Sequence, residues 1–220
     1  ESMFHDCISL KRAPQLPALT LSESCYYYMF SGCSSLELAP ELPATNLARN
    51  CYLGMFSNCT NLKTATSKLP ATTLAESCYQ SMFSNCNNLS VAPELFAITL
   101  ASNCCYRMFA NCSSLTIVPE LPATILATKC YYQMFQGCTN ITTIPSTLPA
   151  TTLADYCYLE MFSGCSKLTD APELPATTLS VSCYNSMFHN CTSLVVAPEL
   201  PAKNLANYCY NQMFMGCSSL

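Results

Sequence analysis

The residues of this chain that could do the most chemistry are its 18 cysteines, which could form disulfides, bind a metal or act as nucleophiles. Sixteen of them form eight pairs, and the two members of each pair are eight residues apart. The pairs are Cys25/Cys33, Cys51/Cys59, Cys78/Cys86, Cys104/Cys112, Cys130/Cys138, Cys157/Cys165, Cys183/Cys191 and Cys209/Cys217. Cys7 and Cys105 belong to none of these pairs. Because the spacing recurs along the whole chain, these cysteines belong to an internal repeat.

The spacing of the cysteines argues against disulfides and against a metal site. Eight residues of helix span about 12 Å, whereas a disulfide needs Cα atoms within about 7 Å, so a pair on one helix cannot close. Disulfides between neighbouring repeats would satisfy the Cα distance. They would, however, join equivalent cysteines of successive repeats two by two and so interrupt the even stacking of the repeats. No histidine or Cys-x-x-Cys set accompanies the cysteines. We therefore expect mostly reduced, buried thiols that act as small hydrophobic side chains, with no metal and no cofactor.

The carboxylates and histidines do not form a catalytic set. When the repeats are aligned, each aligned position forms a column, and one column is rich in glutamate. This column holds Gln15, Glu41, Lys68, Glu94, Glu120, Thr147, Glu173 and Glu199. Adjacent glutamates would repel each other, and either solvation or a bound cation would relieve that repulsion. His5 and His189 share a column but have no recurring Ser, Cys or carboxylate partner, so we expect no enzyme activity.

The elements that position these residues are the repeats themselves. Met-Phe pairs recur with a period of 26 or 27 residues, which predicts one elongated array in which each unit stacks on the next. The pairs begin at Met3, Met29, Met55, Met82, Met108, Met134, Met161, Met187 and Met213. Half of the residues are hydrophobic and a tenth are charged, which predicts a folded chain with a continuous core.

The first half of each repeat reads as a short strand followed by a bend. In the unit that starts at Leu36, we expect Leu36 and Ala39 to face inward and positions 37 and 38 to face outward. Pro40 and Pro43 lie on either side of Leu42, and proline fixes φ and cannot donate a ladder hydrogen bond, so the pair marks a bend that leaves the strand. Leu42 recurs in the other units, and we expect its column to lie in the core.

The second half of each repeat reads as a helix. A column of helix-capping residue types precedes it: Thr20, Asn46, Thr73, Thr99, Ile125, Thr152, Thr178 and Asn204, of which only the isoleucine is not a capping type. Cys51, Met55 and Cys59 then follow at steps of four, as on one apolar face of a helix. A glycine or asparagine column ends the segment, as expected for a left-handed residue just past a helix.

The motif Met-Phe-x-x-Cys-x-x-Leu, as in residues 82–89, occurs in all nine copies with Ile141 once in the last place. Together with the inward Leu-x-x-Ala-x-x-Leu pattern of 36–42, it resembles the BspA type of bacterial surface leucine-rich repeat. That resemblance implies a right-handed α/β solenoid on a secreted or lipid-anchored bacterial surface protein, often used in adhesion or host contact. We therefore expect an α/β, right-handed leucine-rich-repeat solenoid, with one short strand and one short helix in each of about eight coils.

Composition and chain ends indicate the setting of this array. The net charge of −4, without a basic run, disfavours nucleic acid as a partner. No stretch approaches about 18 consecutive apolar residues, so we expect no direct membrane insertion. We expect 1–220 to be one solenoid, cut within a repeat at both ends, from an extracellular or cell-surface protein whose anchor lies outside this chain. Exposed core at the cut ends could drive end-to-end self-association.

Two sets of outward-facing residues are candidates for a binding surface. Apolar residues on the strand face could form a stripe that needs a partner, and tyrosine on the outer helix face suits intermolecular contacts. The candidates are Leu38, Val91, Ile117, Val195, Val196, Tyr27, Tyr28, Tyr106, Tyr132, Tyr156 and Tyr208. The favoured function is a non-catalytic binding module for a protein or glycan ligand. The alternative is a structural spacer that holds another domain away from the cell surface.

Overall fold

The structure is a computed structural model that describes residues 2–220, so Glu1, with which the expected array starts, lies outside the described residues. It contains two regular strands, β1 (Lys68–Leu69) and β2 (Glu94–Leu95). They pair in parallel, with Lys68 opposite Glu94 and Leu69 opposite Leu95. Each residue of β1 therefore pairs with the equivalent residue of the next repeat, as the 26- or 27-residue period predicts.

The prediction of one short strand in each coil holds only for β1 and β2. Elsewhere the described repeats are joined by single parallel bridges, which fall in a few columns. One column lies where we expected the strand, with bridges that include Leu38 to Thr64 and Ile117 to Thr143. A second column is the one expected to cap helices. Its bridges are Thr20–Asn46, Thr73–Thr99, Thr99–Ile125, Thr152–Thr178 and Thr178–Asn204. The prolines nearby cannot donate to a ladder, which keeps the strand half of the repeat short.

The prediction of one short helix per coil is wrong: none of the described residues forms a helix. The segments expected to be helical, such as the one that contains Cys51, Met55 and Cys59, are instead runs of tight turns. Within a run, alternate N–H groups donate to the carbonyl three residues back, as Met108 does to Cys105 (3.1 Å). The N–H groups between them donate to the next repeat, as Phe109 does to Met134 (2.9 Å). Within these runs of turns, about half of the backbone N–H groups therefore form hydrogen bonds between neighbouring repeats.

The run of turns requires a left-handed residue at every fourth position. In the repeat that contains Phe109, these residues are Asn103, Arg107 and Asn111, with φ values of 55°, 55° and 62°. The same three columns have positive φ in every repeat from Ser24 to Gly216. None of them holds a β-branched residue, because a branched Cβ clashes with the backbone in this conformation. The Gly and Asn column that we took for a helix stop is the third of these positions.

The core consists of ladders of identical side chains that run from repeat to repeat. Phenylalanines from Phe4 to Phe214 stack with ring centroids 5.3–5.8 Å apart. A parallel tyrosine ladder is interrupted at Cys105, which is buried in the place of a ring. Most of the bend leucines are buried as expected. Leu95 is only half-buried and Leu200 is 38% exposed, which corrects the prediction for those two.

Candidate functional site

All 18 cysteines carry free thiols in this structure, and 15 of them are buried. The second cysteine of each pair has a polar partner, because its thiol donates to the phenylalanine carbonyl of the preceding repeat at 3.0–3.3 Å. Cys112, for example, donates to the Phe83 carbonyl (3.1 Å). That carbonyl also accepts the N–H of Cys86 in its own repeat (3.1 Å). These thiols therefore bridge repeats as weak donors while they fill the core.

Burial makes the thiols poor nucleophiles. Removal from water raises the pKa of Cys86 and of Cys138 from the ordinary 9.0 to about 12. It raises the pKa of Cys51 and Cys191 to about 12 as well. Because the thiolate is the reactive form, these groups stay protonated and inert at neutral pH. The cysteine ladders are structural.

The apolar candidates on the strand face lie at the surface. Leu38, Val91, Ile117 and Val196 occupy one column and are 57–64% exposed, and Val195 lies exposed in the adjacent column. Threonine or a charged residue separates them elsewhere in that column, which holds Arg12, Leu38, Thr64, Val91, Ile117, Thr143, Asp170 and Val196. We call the four apolar residues of this column, Leu38, Val91, Ile117 and Val196, the strand-face row. Its role in binding stays a prediction.

Val196 also lines a surface groove of about 400 Å³ between its own repeat and the preceding one. Pro172 and Pro198 form apolar walls, and Glu173 and Glu199 stand beside them. A groove at the equivalent place between the first two repeats contains Leu38 and has a volume of about 700 Å³. The strand-face row therefore has concave surface next to it at both ends.

The six tyrosine candidates do not form one patch, because they fall in three columns of the turn runs. Tyr106 and Tyr132 stack at 4.9 Å, and Tyr27 meets Tyr28 edge-on at 4.7 Å. The other two, Tyr156 and Tyr208, lie in the first left-handed column. The Lys129 ammonium lies 5.5 Å from the centre of the Tyr156 ring, and Tyr208 is 69% exposed. Since none of residues 2–220 forms a helix, these tyrosines do not lie on an outer helix face as expected, and they lie on the turn side instead.

Sequence reasoning missed a polar pocket of about 310 Å³ on the turn side. Tyr28 lies at one end, Tyr106 and Arg107 lie at the other, and serine and asparagine side chains line the space between them. The signal was present in the second left-handed column, which reads Tyr28, Gly54, Ser81 and Arg107. Two small residues between two large ones leave a gap, but only once these side chains are known to share a face.

Among residues 2–220, the glutamate column included, no group of three or more His, Cys, Asp or Glu is placed to hold a metal ion. Glu41 is exposed and accepts hydrogen bonds from the Thr66 and Ser67 hydroxyls (both 3.0 Å) and from the Ser67 N–H (3.3 Å). Partial burial raises the pKa of Glu41, but these hydrogen bonds outweigh it and leave the pKa below its usual value. Among the described residues there is also no helix that could cross a membrane.

Comparison with protein families gives a match over both halves of the chain. Residues 1–106 and 96–220 match the BspA type leucine-rich repeat region, with six copies of the repeat. No curated protein and no solved structure matched the chain. Repeats of this family come from bacterial surface proteins, are compatible with a binding or structural module, and indicate no enzyme family. Because the match spans both halves, the chain belongs to the BspA type leucine-rich repeat family.

Proposed function

We propose that this chain is a non-catalytic binding module of a bacterial cell-surface or secreted protein, and that it contacts a protein or glycan ligand in adhesion or host contact. The observation that carries the proposal is the strand-face row. Four large apolar side chains stand exposed in one column of a frame whose inward columns scarcely vary. Val91 and Ile117 are neighbours in this column, and large exposed apolar side chains on one face of a protein often mark a site that a partner covers.

The same frame determines how a partner would be engaged. Backbone hydrogen bonds and aromatic ladders fix the distance between neighbouring repeats, so the row is preorganised and loses little entropy on binding. Outward columns vary from repeat to repeat while the frame stays the same. This separation of scaffold from variable surface supports recognition of a partner rather than catalysis.

The test is a variant in which the strand-face row is made polar without altering the frame. Threonine is native in this column at Thr64 and Thr143, so the fold should accept it. The substitutions are Leu38→Thr, Val91→Thr, Ile117→Thr and Val196→Thr. The purified chain and the variant are compared on immobilised extracellular-matrix proteins and on a broad glycan array. We expect the chain to bind at least one ligand and the variant to lose most of that binding.

A matched control places the same number of threonines in a column that contains native threonine at Thr60, Thr139 and Thr192. Its substitutions are Ser34→Thr, Asn87→Thr, Ser113→Thr and Ser166→Thr. This variant should bind as the parent chain does. Failure of the parent chain to bind any matrix protein or glycan would remove the main support for the proposal.

The second candidate function is a structural spacer. It is favoured by the phenylalanine ladder, which continues from Phe4 to Phe214 and gives a continuous stack. A spacer would tolerate the strand-face substitutions in a cell-based assay of the full-length protein. It would respond instead to deletion or duplication of one repeat, which changes its length.

We also propose that residues 1–220 form a single right-handed solenoid of about eight coils. At an inter-strand spacing of about 4.8 Å, the stack would be on the order of 40 Å long, a dimension that small-angle X-ray scattering can test.

We propose an extracellular location and end-to-end self-association of the chain. Large exposed apolar residues of the outermost repeats, such as Met3 and Leu205, support self-association. Sedimentation velocity over a range of concentrations would detect it.

A further inference from the structure

The polar pocket on the turn side crosses four repeats and differs in chemistry from the strand-face row. It has aromatic rings at both ends, Tyr28 at one and Tyr106 at the other, and a guanidinium, Arg107, beside Tyr106. Hydroxyl and amide groups line the space between. The volume of about 310 Å³ is at the small end of the range for ligand pockets.

The pocket exists because four residues of one column share a backbone conformation. Tyr28, Gly54, Ser81 and Arg107 have φ values of 49°, 60°, 52° and 55°, so their side-chain directions agree. The Tyr28 ring lies over Gly54, where a Cβ would clash with it. Beyond that ring, Ser81 is too small to fill the space between Tyr28 and Arg107. The gap is therefore fixed by sequence on a rigid stack.

The wall of the pocket carries side chains whose hydrogen-bonding capacity is not saturated by contacts within the chain. Along one side Asn85 donates to the Asn58 side-chain oxygen and Asn111 donates to Asn85, both at 2.9 Å. Each amide donates one of its two hydrogens in this ladder, so further donor and acceptor capacity remains. Ser84 is only 5% exposed and lines the pocket, so its hydroxyl is available to a ligand there.

Arg107 gives the pocket a charge preference. None of the three salt bridges among residues 2–220 involves Arg107. No Asp or Glu lines the pocket. A guanidinium that forms no salt bridge within the chain is suited to a bidentate contact with an anionic group of a ligand.

We propose that this pocket binds one saccharide unit that carries a carboxylate. A sugar ring has an apolar face that can lie against tyrosine and an edge of hydroxyls that can bond to Asn85 and Ser84. The carboxylate would pair with Arg107. This inference goes beyond the proposed function, because it assigns a ligand class to a second site on the turn side, apart from the strand-face row.

The test uses D-glucuronate as the probe, with D-glucose and acetate as matched probes that lack the carboxylate and the ring hydroxyls respectively. Binding to the folded chain is followed by amide chemical-shift changes in ¹⁵N-labelled protein. We expect saturable shifts with glucuronate at residues 81–85 and 106–107, and much weaker responses to glucose and to acetate. Loss of one charge-assisted contact in Arg107→Gln should lower the affinity about tenfold or more.

A second variant fills the gap without removing the charge. Glutamine is native in this column at Gln133 and Gln212, each with a φ of 54°, so Ser81→Gln should fold normally. It should abolish the glucuronate response. The matched control is Ser186→Gln, which lies in the same column and outside the pocket and should bind as the parent chain does.

Three results would overturn this inference: no saturable shift with glucuronate, equal responses to glucuronate and to glucose or acetate, or parent-like binding by Arg107→Gln. None of them bears on the strand-face test, because those substitutions leave the pocket intact. Conversely, if the strand-face row proves inert, the glucuronate response can still be measured. Failure of this inference and failure of the proposed function are thus distinguishable.

Discussion

The second cysteine of each pair both fills the core and donates a hydrogen bond, a combination that few other residue types allow. Its side chain is small enough to stack beside the phenylalanine ladder, and its thiol still donates to a backbone carbonyl of the preceding repeat. Alanine would leave a cavity and lose the donor, whereas serine would donate more strongly but is costlier to bury. The composition predicted buried thiols, but the carbonyl partner could not be predicted because it depends on how the repeats are offset.

Thiol accessibility follows from this packing. In the native chain only Cys7, Cys25 and Cys217 are exposed or half-buried, so a thiol reagent such as DTNB should react quickly with about three of the 18 groups. All 18 should react in guanidinium chloride. Slow reaction is expected for the others because their pKa values are raised and reagent cannot reach them. Fast reaction of most thiols in the folded protein would contradict the buried ladders.

Stability should fall at alkaline pH. The thiols of Cys51, Cys86, Cys138 and Cys191 have a pKa of about 12 when folded and an ordinary value of 9.0 when exposed. Above pH 9 the unfolded chain therefore releases protons that the folded chain retains, and the stabilisation by these groups is lost between about pH 9 and 12. At pH 10 these four thiols together should lower the free energy of unfolding by about 6 kcal/mol relative to pH 7.

Urea unfolding at pH 7, 9 and 10, with a reductant present throughout, measures this effect. The loss should be small from pH 7 to 9 and large from 9 to 10. An unchanged free energy of unfolding at pH 10 would mean that the thiols are not buried in the folded state.

At the scale of elements, the sequence predicted where the second half of each repeat lies but not its conformation. Cys51, Met55 and Cys59 at steps of four fit an α-helix, and they fit equally a run of tight turns with a left-handed residue every fourth position. The glycine and asparagine column revealed the last of those positions. The two earlier columns also lack β-branched residues, but they include Lys, Arg, Gln and Glu, which favour a helix and therefore concealed the pattern.

Substitutions at Asn103 test the left-handed positions. Asn103→Val should destabilise the protein by about 2 kcal/mol or more, because a β-branched residue is strained at a φ of 55°. Asn103→Gly should be neutral or slightly stabilising, since glycine adopts this conformation without strain. Thermal unfolding of both variants is the measurement.

The neighbouring position supplies the control. Ser102→Val should have little effect, because the equivalent position of another repeat holds Val181 natively and φ is not positive at either site. If Ser102→Val and Asn103→Val destabilise the chain equally, the loss cannot be assigned to the left-handed backbone.

At the scale of the whole molecule, stability is shared along the stack. The repeat period was enough to predict an array in which each unit stacks on the next around a continuous core with buried thiols. The pocket between Tyr28 and Arg107 could not be predicted in the same way. It depends on which columns face the same direction, and that is decided by the turn geometry rather than by the period.

A phenylalanine in the middle of the stack should matter more than one near its end. Phe109 stacks on Phe83 at 5.5 Å and on Phe135 at 5.4 Å, whereas Phe4 stacks only on Phe30 among the described residues. Phe109→Ala should cost about 3–5 kcal/mol, and Phe4→Ala should cost distinctly less. Chemical denaturation of the two variants compares them. Equal losses would argue against stability that accumulates from contacts between neighbouring repeats.

The bonding between repeats can be measured directly by NMR through couplings across hydrogen bonds in perdeuterated protein. The Phe109 N–H donates to the Met134 carbonyl of the next repeat at 2.9 Å, so a coupling between the Phe109 nitrogen and the Met134 carbonyl carbon is expected. A helix would instead join the Phe109 N–H to the Cys105 carbonyl four residues back. Observation of the Phe109–Cys105 coupling, with none to Met134, would contradict the stack of turn-linked repeats described for this chain.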